Sequence, residues 1–429
     1  MPTIRLNLKA LEPVLATSFQ SDPNSDVSYD YIPGSMIRGL LIGCYLRQHN
    51  QRELNLHDPE VQRLFFDSEH TRYLNAYLVS QDNRRMLPVP RSWHKPKVQQ
   101  LTDDTPIEIT DFSVEDALDD APESPKSVAG QFWTREGGRL RLYKPTRRFN
   151  IHNQRDRRKG RSSKKEGNKK SEGEIFRYDA LDAGQIFESA ILCDEQDIPL
   201  FETLLNRPDL WIGGSRSAGY GHVRVTHEVI NKWQEIREAT SDRDDEDNLT
   251  ITLLSDTLLR DPNGQPMANP SLIQSAIADV LGIELTSRTI QIFSSSTLIG
   301  GFNRKWGLPL PQVPALEAGT VIVFEDTTLT AEQIRELEWR GIGDRRNEGF
   351  GRVAVNWHRQ ETFKGYKPES KKAINQPTIA SDSPSFPMAK MMAKRLLSQR
   401  LDRYLQKVVN DHKLKRDEKT GLAPISNSQ

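Results

Sequence analysis

The sequence predicts an α+β fold in which one supersecondary unit occurs twice. A repeat is the first observation, because IGGSRSAGYGHVRV at 212–225 matches IGDRRNEGFGRVAV at 342–355 without a gap. The second is that both halves of the chain follow the same order of predicted elements, β-α-β-β-α-β. The third is a pair of helices whose apolar residues recur at helical spacing, one near 36–45 and one at 271–281. This order is typical of the ferredoxin-like, or RRM-like, split βαβ unit.

The first domain is predicted to span residues 1–235. Alternating apolar and polar residues predict a strand over 3–9, and a helix then begins with Ser35 as its N-cap. The later elements, in chain order, are strands over 71–80, 139–149 and 184–193, a helix over 198–205 and a strand over 222–227. An acidic stretch at 102–123 has nine Asp or Glu and no Lys or Arg, which is typical of a disordered loop.

The second domain is predicted to span residues 249–360. Its helices are expected over 271–281 and from about 331 to 339, and Thr330 with Gln333 forms a capping box before the second of them. Charged and Pro/Ser/Lys-rich segments at 236–248 and 360–385 are predicted linkers. The tail, 386–429, contains a basic helical stretch that either packs on its own domain or docks on another subunit.

Composition narrows the class of protein. Lys and Arg number 59, as do Asp and Glu, so any binding to a polyanion depends on local clusters of charge. Cys44 and Cys193 are the only cysteines, and they provide neither a disulfide framework nor a metal-binding spacing. The N-terminus has no signal-peptide pattern, and no apolar run approaches a membrane span. We therefore expect a cytoplasmic protein that does not bind membranes.

The two glycine-rich loops share the pattern G-x-x-R-x-x-G-aromatic-G-x-V-x-V. Glycine allows positive φ and close approach to another backbone, and arginine offers a planar fork that suits phosphate. The candidate RNA contacts in these loops are Gly213, Gly214, Ser215, Arg216, Ser217, Gly219, Tyr220, Gly221, Arg345, Arg346 and Arg352. The aromatic residues Tyr220 and Phe350 either stack on bases or pack internally, and their alternation with strand valines favours packing.

The loops also differ from each other. Small neutral residues surround Arg216, which favours close contact with an RNA backbone. In the second loop Asp344, Arg345 and Glu348 crowd the same region with charge, which favours protein over RNA as the partner of that loop.

A second candidate surface is the basic insertion at 144–177. From residue 144 to residue 170, twelve Lys or Arg stand against two acids. Contacts with several phosphates would release counterions and give salt-dependent binding. We interpret the segment as an RNA-contacting hairpin, against the alternative of a solvated charge run. Its candidate contacts are Arg147, Arg148, Arg155, Arg157 and Arg158.

Signals for catalysis are weak. The sequence has no HExxH, Walker or G-x-S-x-G motif. Metal-free RNA cleavage would need a histidine near a scissile phosphate, and His152 and His222 are the candidates. Solvated or core histidines are the favoured interpretation, and a metal-bound cleavage site at Asp344 is favoured still less. We therefore expect no catalytic residue, no metal and no cofactor.

The chain resembles the RAMP superfamily of CRISPR-associated proteins. The resemblance is carried by the two glycine-rich loops and by IPGSMIRGLL, LPVPRSW, GGFNRKWGLPLP and EAGTVIVFE. The layout of two units, a long basic insertion and a helical tail is most similar to the Csx-ten (Cas-five-like) subunit of type III-D effectors.

That resemblance implies a non-catalytic subunit of a type III ribonucleoprotein effector in antiviral defence. Such a subunit binds the 5′ handle of the crRNA and caps the backbone filament. Its implied partners are crRNA, a Cas-ten large subunit, Cas-seven-like backbone subunits and target RNA. Handle contacts are implied for the glycine loops and for Arg38, Phe302, Arg304, Lys305 and Trp306. The alternative is a Cas-six-like, metal-independent endoribonuclease that processes pre-crRNA.

Overall fold

The computed structural model describes residues 2–18, 25–102, 105–114, 124–153, 175–207, 209–236, 243, 248–303, 307–368 and 382–420. The chain divides into two compact units, Met1–Pro368 and Glu369–Gln429. Helices and strands are mixed throughout the first unit, which confirms the predicted α+β class. The predicted division of residues 1–360 into two domains stays a prediction.

The described helices and strands are as follows. The strands are β1 (Thr3–Ala10), β2 (Ser25–Val27), β3 (Arg72–Tyr73), β4 (Tyr77–Leu78), β5 (Leu87–Pro88), β6 (Trp93–Pro96), β7 (Ile107–Asp111), β8 (Pro125–Ser127), β9 (Phe132–Glu136), β10 (Arg139–Tyr143), β11 (Arg147–Asn153), β12 (Ile175–Leu181), β13 (Ile186–Leu192), β14 (Leu210–Trp211), β15 (His222–Ile230), β16 (Leu249–Leu253), β17 (Thr289–Phe293), β18 (Ser296–Ile299), β19 (Phe302–Asn303), β20 (Leu308–Pro309), β21 (Val313–Leu316), β22 (Val321–Phe324), β23 (Val353–Val355) and β24 (Thr362–Tyr366). The helices are α1 (Gly34–Gln48), α2 (Pro59–Phe65), α3 (Ile198–Leu205), α4 (Leu272–Leu281), α5 (Ala331–Arg340) and α6 (Phe386–Thr420).

The first sheet has the order β14-β15-β1-β13-β3, and β4 also pairs with β13. Strand β1 is central in this order. Its residues Ile4, Leu6 and Leu8 alternate with polar residues and are fully buried. Their side chains share one hydrophobic core with residues of α1 and α3. One face of this sheet is therefore covered by helices, and the fold places the first glycine loop between β14 and β15.

The second sheet has the order β17-β22-β16-β23, with α4 and α5 contributing to its core. In both sheets the last strand of the β-α-β-β-α-β pattern lies beside the first strand, and the third strand lies on the first strand's other side. The sequence repeat is thus also a repeat of strand order. The predicted capping box of α5 is confirmed, because Gln333 N donates to Thr330 Oγ1 over 3.3 Å and Gln333 Oε1 accepts from Thr330 N over 2.9 Å.

A third sheet was not predicted from the sequence. Its order is β5-β9-β10-β24-β7-β6-β8, and β24 lies between β10 and β7. Two expectations were wrong here. The acidic stretch 102–123 contains strand β7, and the expected linker 360–385 begins with strand β24, although 103–104, 115–123 and 369–381 lie outside the described residues. The helix cap was also misplaced, since α1 begins at Gly34 after Pro33 and Ser35 is inside it.

The halves of the first unit meet at a buried ion triad. Glu235, which follows β15, accepts from Arg85 over 2.6 Å and from Arg352 over 2.9 Å. All three side chains are at most 4% exposed. Burial alone would raise the pKa of Glu235, but the two guanidinium groups hold that pKa below its usual range.

The second unit contains α6, a helix of 35 residues. Most of its described apolar side chains are exposed, among them Met388, Met391, Leu397 and Leu401. Neither this helix nor any other in the described part of the chain is both long enough and apolar enough to cross a membrane. The docking of the tail on its own domain or on another subunit stays a prediction.

Candidate nucleic-acid interface

The two glycine-rich loops have the same backbone geometry. In the first, Ser215 is left-handed with φ 55°, residues Arg216–Ala218 form a 3-10 turn, and Gly219 is left-handed with φ 81°. In the second loop the corresponding residues are Arg345 with φ 54°, a 3-10 turn over Arg346–Glu348, and Gly349 with φ 93°. The gapless sequence repeat therefore encodes one loop shape twice.

The two loops are held by equivalent main-chain contacts. Gly214 N donates to Leu15 O over 3.3 Å, and Asp344 N donates to Leu258 O over 2.9 Å. A Cβ on Gly213, whose φ is 86°, would lie 2.5 Å from Leu15 O, so this position requires glycine for both conformation and space. The loops are consequently rigid supports for the side chains that they carry.

Protein covers the second loop. Arg346 forms an ion pair with Glu69, and Asn347 Nδ2 donates to the carbonyl oxygens of Phe65 and Phe66 over 3.3 and 3.1 Å. Arg38 donates to Glu348 Oε1 over 2.7 Å. Burial alone would raise the pKa of Glu69, but Arg346 and Arg340 lower it below its usual range. The loop docks on the α1–α2–β3 region of the first half.

Several predicted phosphate contacts are therefore engaged with protein. Arg345 pairs with Glu348 and also lies over the Phe350 ring, 4.8 Å from its centroid. Arg352 is 3% exposed and belongs to the buried triad, so its assignment as a phosphate contact was wrong. For Arg38, Arg345 and Arg346 an RNA contact stays a prediction that would have to displace an existing ion pair.

The first loop is open where the second is covered. Arg216, Ser217, Ala218 and Gly219 are exposed, and a Cβ on Gly219 would meet nothing within 4 Å. The Arg216 guanidinium lies over the Trp211 ring, 3.9 Å from its centroid. Because that contact holds a flat cation on the surface, Arg216 is placed to donate hydrogen bonds to a phosphate or to stack on the face of a base.

Trp211 was not singled out in the sequence, although it supports Arg216. Its indole is stacked on His222, with centroids 4.8 Å apart and an interplanar angle of 12°. His222 Nε2 lies 2.7 Å from Asp209 Oδ1, which fixes the imidazole. The pairing of Trp211 with His222 across β14 and β15 places both rings on one face of the sheet. The sequence signal was the short apolar pair before the loop.

The base of the basic insertion contacts the first loop. Strands β11 and β12 form its antiparallel stem, in register from Arg147↔Leu181 to Asn153↔Ile175. Tyr220 Oη accepts from Asn150 Nδ2 over 2.7 Å and lies 2.8 Å from His152 Nε2. Ser215 Oγ donates to Tyr178 Oη over 3.1 Å. The structure therefore brings together the two features that the sequence predicted separately.

Some predicted contacts in this region change their role. Tyr220 is 2% exposed, which confirms the favoured interpretation that it packs internally and does not stack on bases, and it joins the loop to the hairpin. Burial opposes the charge of Arg147, but Asp179 and Asp30 raise the pKa of its guanidinium. Arg148 is half-exposed and pairs with Asp182 over 2.9 Å.

The remaining predicted contacts are only partly placed. Phe302 begins β19, which pairs with β20. Arg155, Arg157, Arg158, Arg304, Lys305 and Trp306 lie outside the described residues.

The described residues do not assemble a recognisable nuclease centre. The Nε2 atoms of His152 and His222 contact Tyr220 and Asp209, respectively. Asp344 pairs with Arg260. Within the described ranges, no three His, Cys, Asp or Glu side chains are grouped so that they could hold a metal ion. The absence of catalysis nevertheless stays a prediction.

Comparison with known proteins identifies the family. The model of the RAMP superfamily matches residues 7–224, about half of the chain, which include the second half of β1, all of α1 and β13, and the whole first glycine loop. The chain belongs to the RAMP superfamily. No curated protein matches this RAMP chain significantly.

Three solved structures are similar to this RAMP chain. A chain of the type III-B Cmr-beta complex bound to cognate target RNA and AMPPnP is 12% identical, with 74% of this chain and 86% of that chain covered and a TM-score of 0.39. Oligomeric Cmr4 from Pyrococcus furiosus is 14% identical, with 54% and 100% covered and a TM-score of 0.25. A Cas6 product complex is 12% identical, with 41% and 78% covered and a TM-score of 0.26.

Proposed function

We propose that this RAMP protein is an RNA-binding subunit of a type III CRISPR ribonucleoprotein effector. In this proposal it has tandem ferredoxin-like domains, is most like the Csx-ten subunit, binds the 5′ handle of crRNA and caps the backbone filament. The observation that carries the proposal is that two loops of the same shape differ in whether protein covers them. Protein occupies the second loop, whereas the first loop is open beside the stem of a strongly basic insertion.

The chemistry of the first loop suits a nucleic-acid backbone. Exposed residues 216–219 combine one immobilised guanidinium with small side chains, so a phosphate can approach the main chain closely. Such contacts hold RNA without reading its sequence. The basic insertion supplies the additional charge that makes association strong and salt-dependent.

The partners follow from the same assignment. A Cas-ten large subunit and Cas-seven-like backbone subunits would lie beside the bound handle, and target RNA would lie further along the filament. The basic insertion would extend from the β11–β12 stem toward the first backbone subunit. The protein would contribute binding and assembly, and no step of catalysis.

Incubation with labelled repeat RNA, with and without EDTA, tests the proposed activity. We expect a stable complex that weakens steeply as salt is raised, with intact RNA in both samples. The measurements are a gel-shift titration and a denaturing gel of the same samples. Intact but unbound RNA at low salt would contradict RNA binding, and cleaved RNA would contradict the non-catalytic role.

The paired loops provide a matched comparison, because Arg216 and Arg346 occupy equivalent positions. We expect Arg216→Ala to weaken RNA binding and to reduce its salt slope by about one, with little change in stability. Arg346→Ala should leave RNA affinity near the wild-type value and lower the unfolding temperature, because it removes the Glu69 pair. An equal fall in affinity for both variants would show that the second loop also binds RNA.

The alternative function is metal-independent processing of pre-crRNA. One observation favours keeping it as a candidate: Asp209 and His222 form a surface pair, 2.7 Å apart, and His222 stacks on the same Trp211 ring that supports Arg216. A histidine oriented by a carboxylate is suited to general acid or base catalysis. If repeat RNA is cleaved in EDTA, His222→Ala and His152→Ala decide which histidine is responsible.

A further inference from the structure

The face of the first sheet that is not covered by α1 and α3 has an open polar region. Alternation along β1 and β15 places Asn7 and Lys9 on this face together with Arg224 and Thr226. Lys9, Arg224 and Thr226 are exposed, and Asn7 is partly exposed. The opposite face carries Leu8 and Val225, which are buried in the core.

Two cations on this face lie directly across the strand pair from each other. Lys9 is the register partner of Arg224, and Asn7 is the partner of Thr226. Side chains opposite each other in an antiparallel pair are about 5 Å apart at Cβ, and like charges there are destabilising. By contrast, Arg5 and Glu228, which are register partners further along the same face, form an ion pair. Among the described residues, no carboxylate forms an ion pair with Lys9 or Arg224, so these two cations are available to bind an anion.

This region is continuous with the first glycine loop. His222 and Arg224 are two residues apart on β15, so their side chains lie on the same face. Trp211 stacks on His222, and Arg216 lies over Trp211. A line of groups therefore runs from Arg216, past the Trp211–His222 pair, to Arg224 and Lys9. Phosphates are repeated along an RNA backbone, which suits cations placed in such a line.

We propose that the RNA backbone continues from the first glycine loop across this sheet face, with phosphates bound by Lys9 and Arg224 and polar contacts from Asn7 and Thr226. This inference rests on the proposed RNA-binding function and adds a second segment to its binding path. It differs from base stacking on an aromatic sheet face, because the described residues here are cationic and polar. The ligand is the sugar-phosphate backbone, so binding should tolerate changes of base.

Lys9→Glu gives the sharpest test, because it converts a like-charge pair into an opposite-charge pair. We expect the unfolding temperature to stay equal or to rise, while affinity for the labelled repeat RNA falls about tenfold or more at low salt. If Lys9 instead stabilised the fold, Lys9→Glu would lower the unfolding temperature. Arg224→Gln should weaken RNA binding and reduce its salt slope by about one.

Controls separate this inference from the function on which it rests. Arg5→Gln removes a cation that already has a carboxylate partner, and it should change RNA affinity little. An oligonucleotide of about four nucleotides is long enough to occupy only the loop. Its affinity should therefore fall in Arg216→Ala and stay unchanged in Lys9→Glu. If Arg216→Ala weakens binding of the full repeat and neither Lys9→Glu nor Arg224→Gln does, the sheet path is wrong and the proposed function stands. If the wild-type protein binds no RNA, both fall.

Discussion

Replacement of residues 155–170 by a Gly/Ser segment of equal length should reduce RNA affinity more than any other local change. The segment contains nine Lys or Arg and two acids, so the variant loses seven net positive charges. For single-stranded RNA, the plot of log K against log salt becomes less steep by about 0.7 for each phosphate that the protein no longer neutralises. We expect affinity for repeat RNA to fall about a hundredfold or more near 0.1 M salt. Titrations at several salt concentrations measure both quantities.

Two controls give this result its meaning. Retention of the unfolding temperature would show that the stem of β11 and β12, with its contacts to Tyr220, is intact. A second variant replaces six basic residues of α6 with Gln, which changes net charge by a similar amount while keeping good helix formers. These residues are Lys390, Lys394, Arg395, Arg400, Arg403 and Lys407. If affinity falls equally in both variants, long-range charge and not the hairpin is responsible.

The sequence was most informative where the chain repeats itself. The gapless match between the two glycine loops predicted equal geometry, and the left-handed residues Ser215 and Arg345 confirm it. Helical spacing also located α1 and α4, and alternation located β1, because buried faces impose those periods. The capping box at Thr330 was readable for the same reason, since all its partners are local.

Long-range pairing was not readable. Strand β24 is inserted between β10 and β7, more than two hundred residues away in the chain, and five residues of TFKGY give no local sign of this. Likewise, nothing near Arg352 indicates that its partner is Glu235. The difference in charge between the loops did favour protein contacts for the second, but it could not identify Glu69 and Arg38 as the contacting residues.

The role of Trp211 could not be predicted from the sequence either. Its value to the site lies in two stacking contacts, one with Arg216 and one with His222, and both depend on the pairing of β14 with β15. A single aromatic residue before a glycine loop is more often part of the core. The exposed line of Arg216, Arg224 and Lys9 likewise became visible only through the register of β15 against β1.

Glu235→Gln should cause the largest loss of stability among the single substitutions considered. The side chain keeps its size, but Arg85 and Arg352 then lie buried without a compensating charge, as both guanidinium groups have side chains only 4% exposed. Breaking a buried ion pair in this way costs about 3–5 kcal/mol. Urea unfolding followed by tryptophan fluorescence measures the change. Glu228→Gln is the matched control, because the Glu228 side chain is 59% exposed and its pair with Arg5 should contribute under about 1 kcal/mol.

The dependence on pH distinguishes this explanation from a simple packing defect. Because the folded-state pKa of Glu235 is lowered, its contribution is present above the unfolded-state pKa of about 4.3 and is lost as the pH falls toward the folded value. The wild-type protein should therefore lose stability over that acid range more steeply than Glu235→Gln. The consequence for the site is specific, since Arg352 directly follows the second glycine loop. If Glu235→Gln were as stable as Glu228→Gln, the triad would not be what holds that loop against the first half.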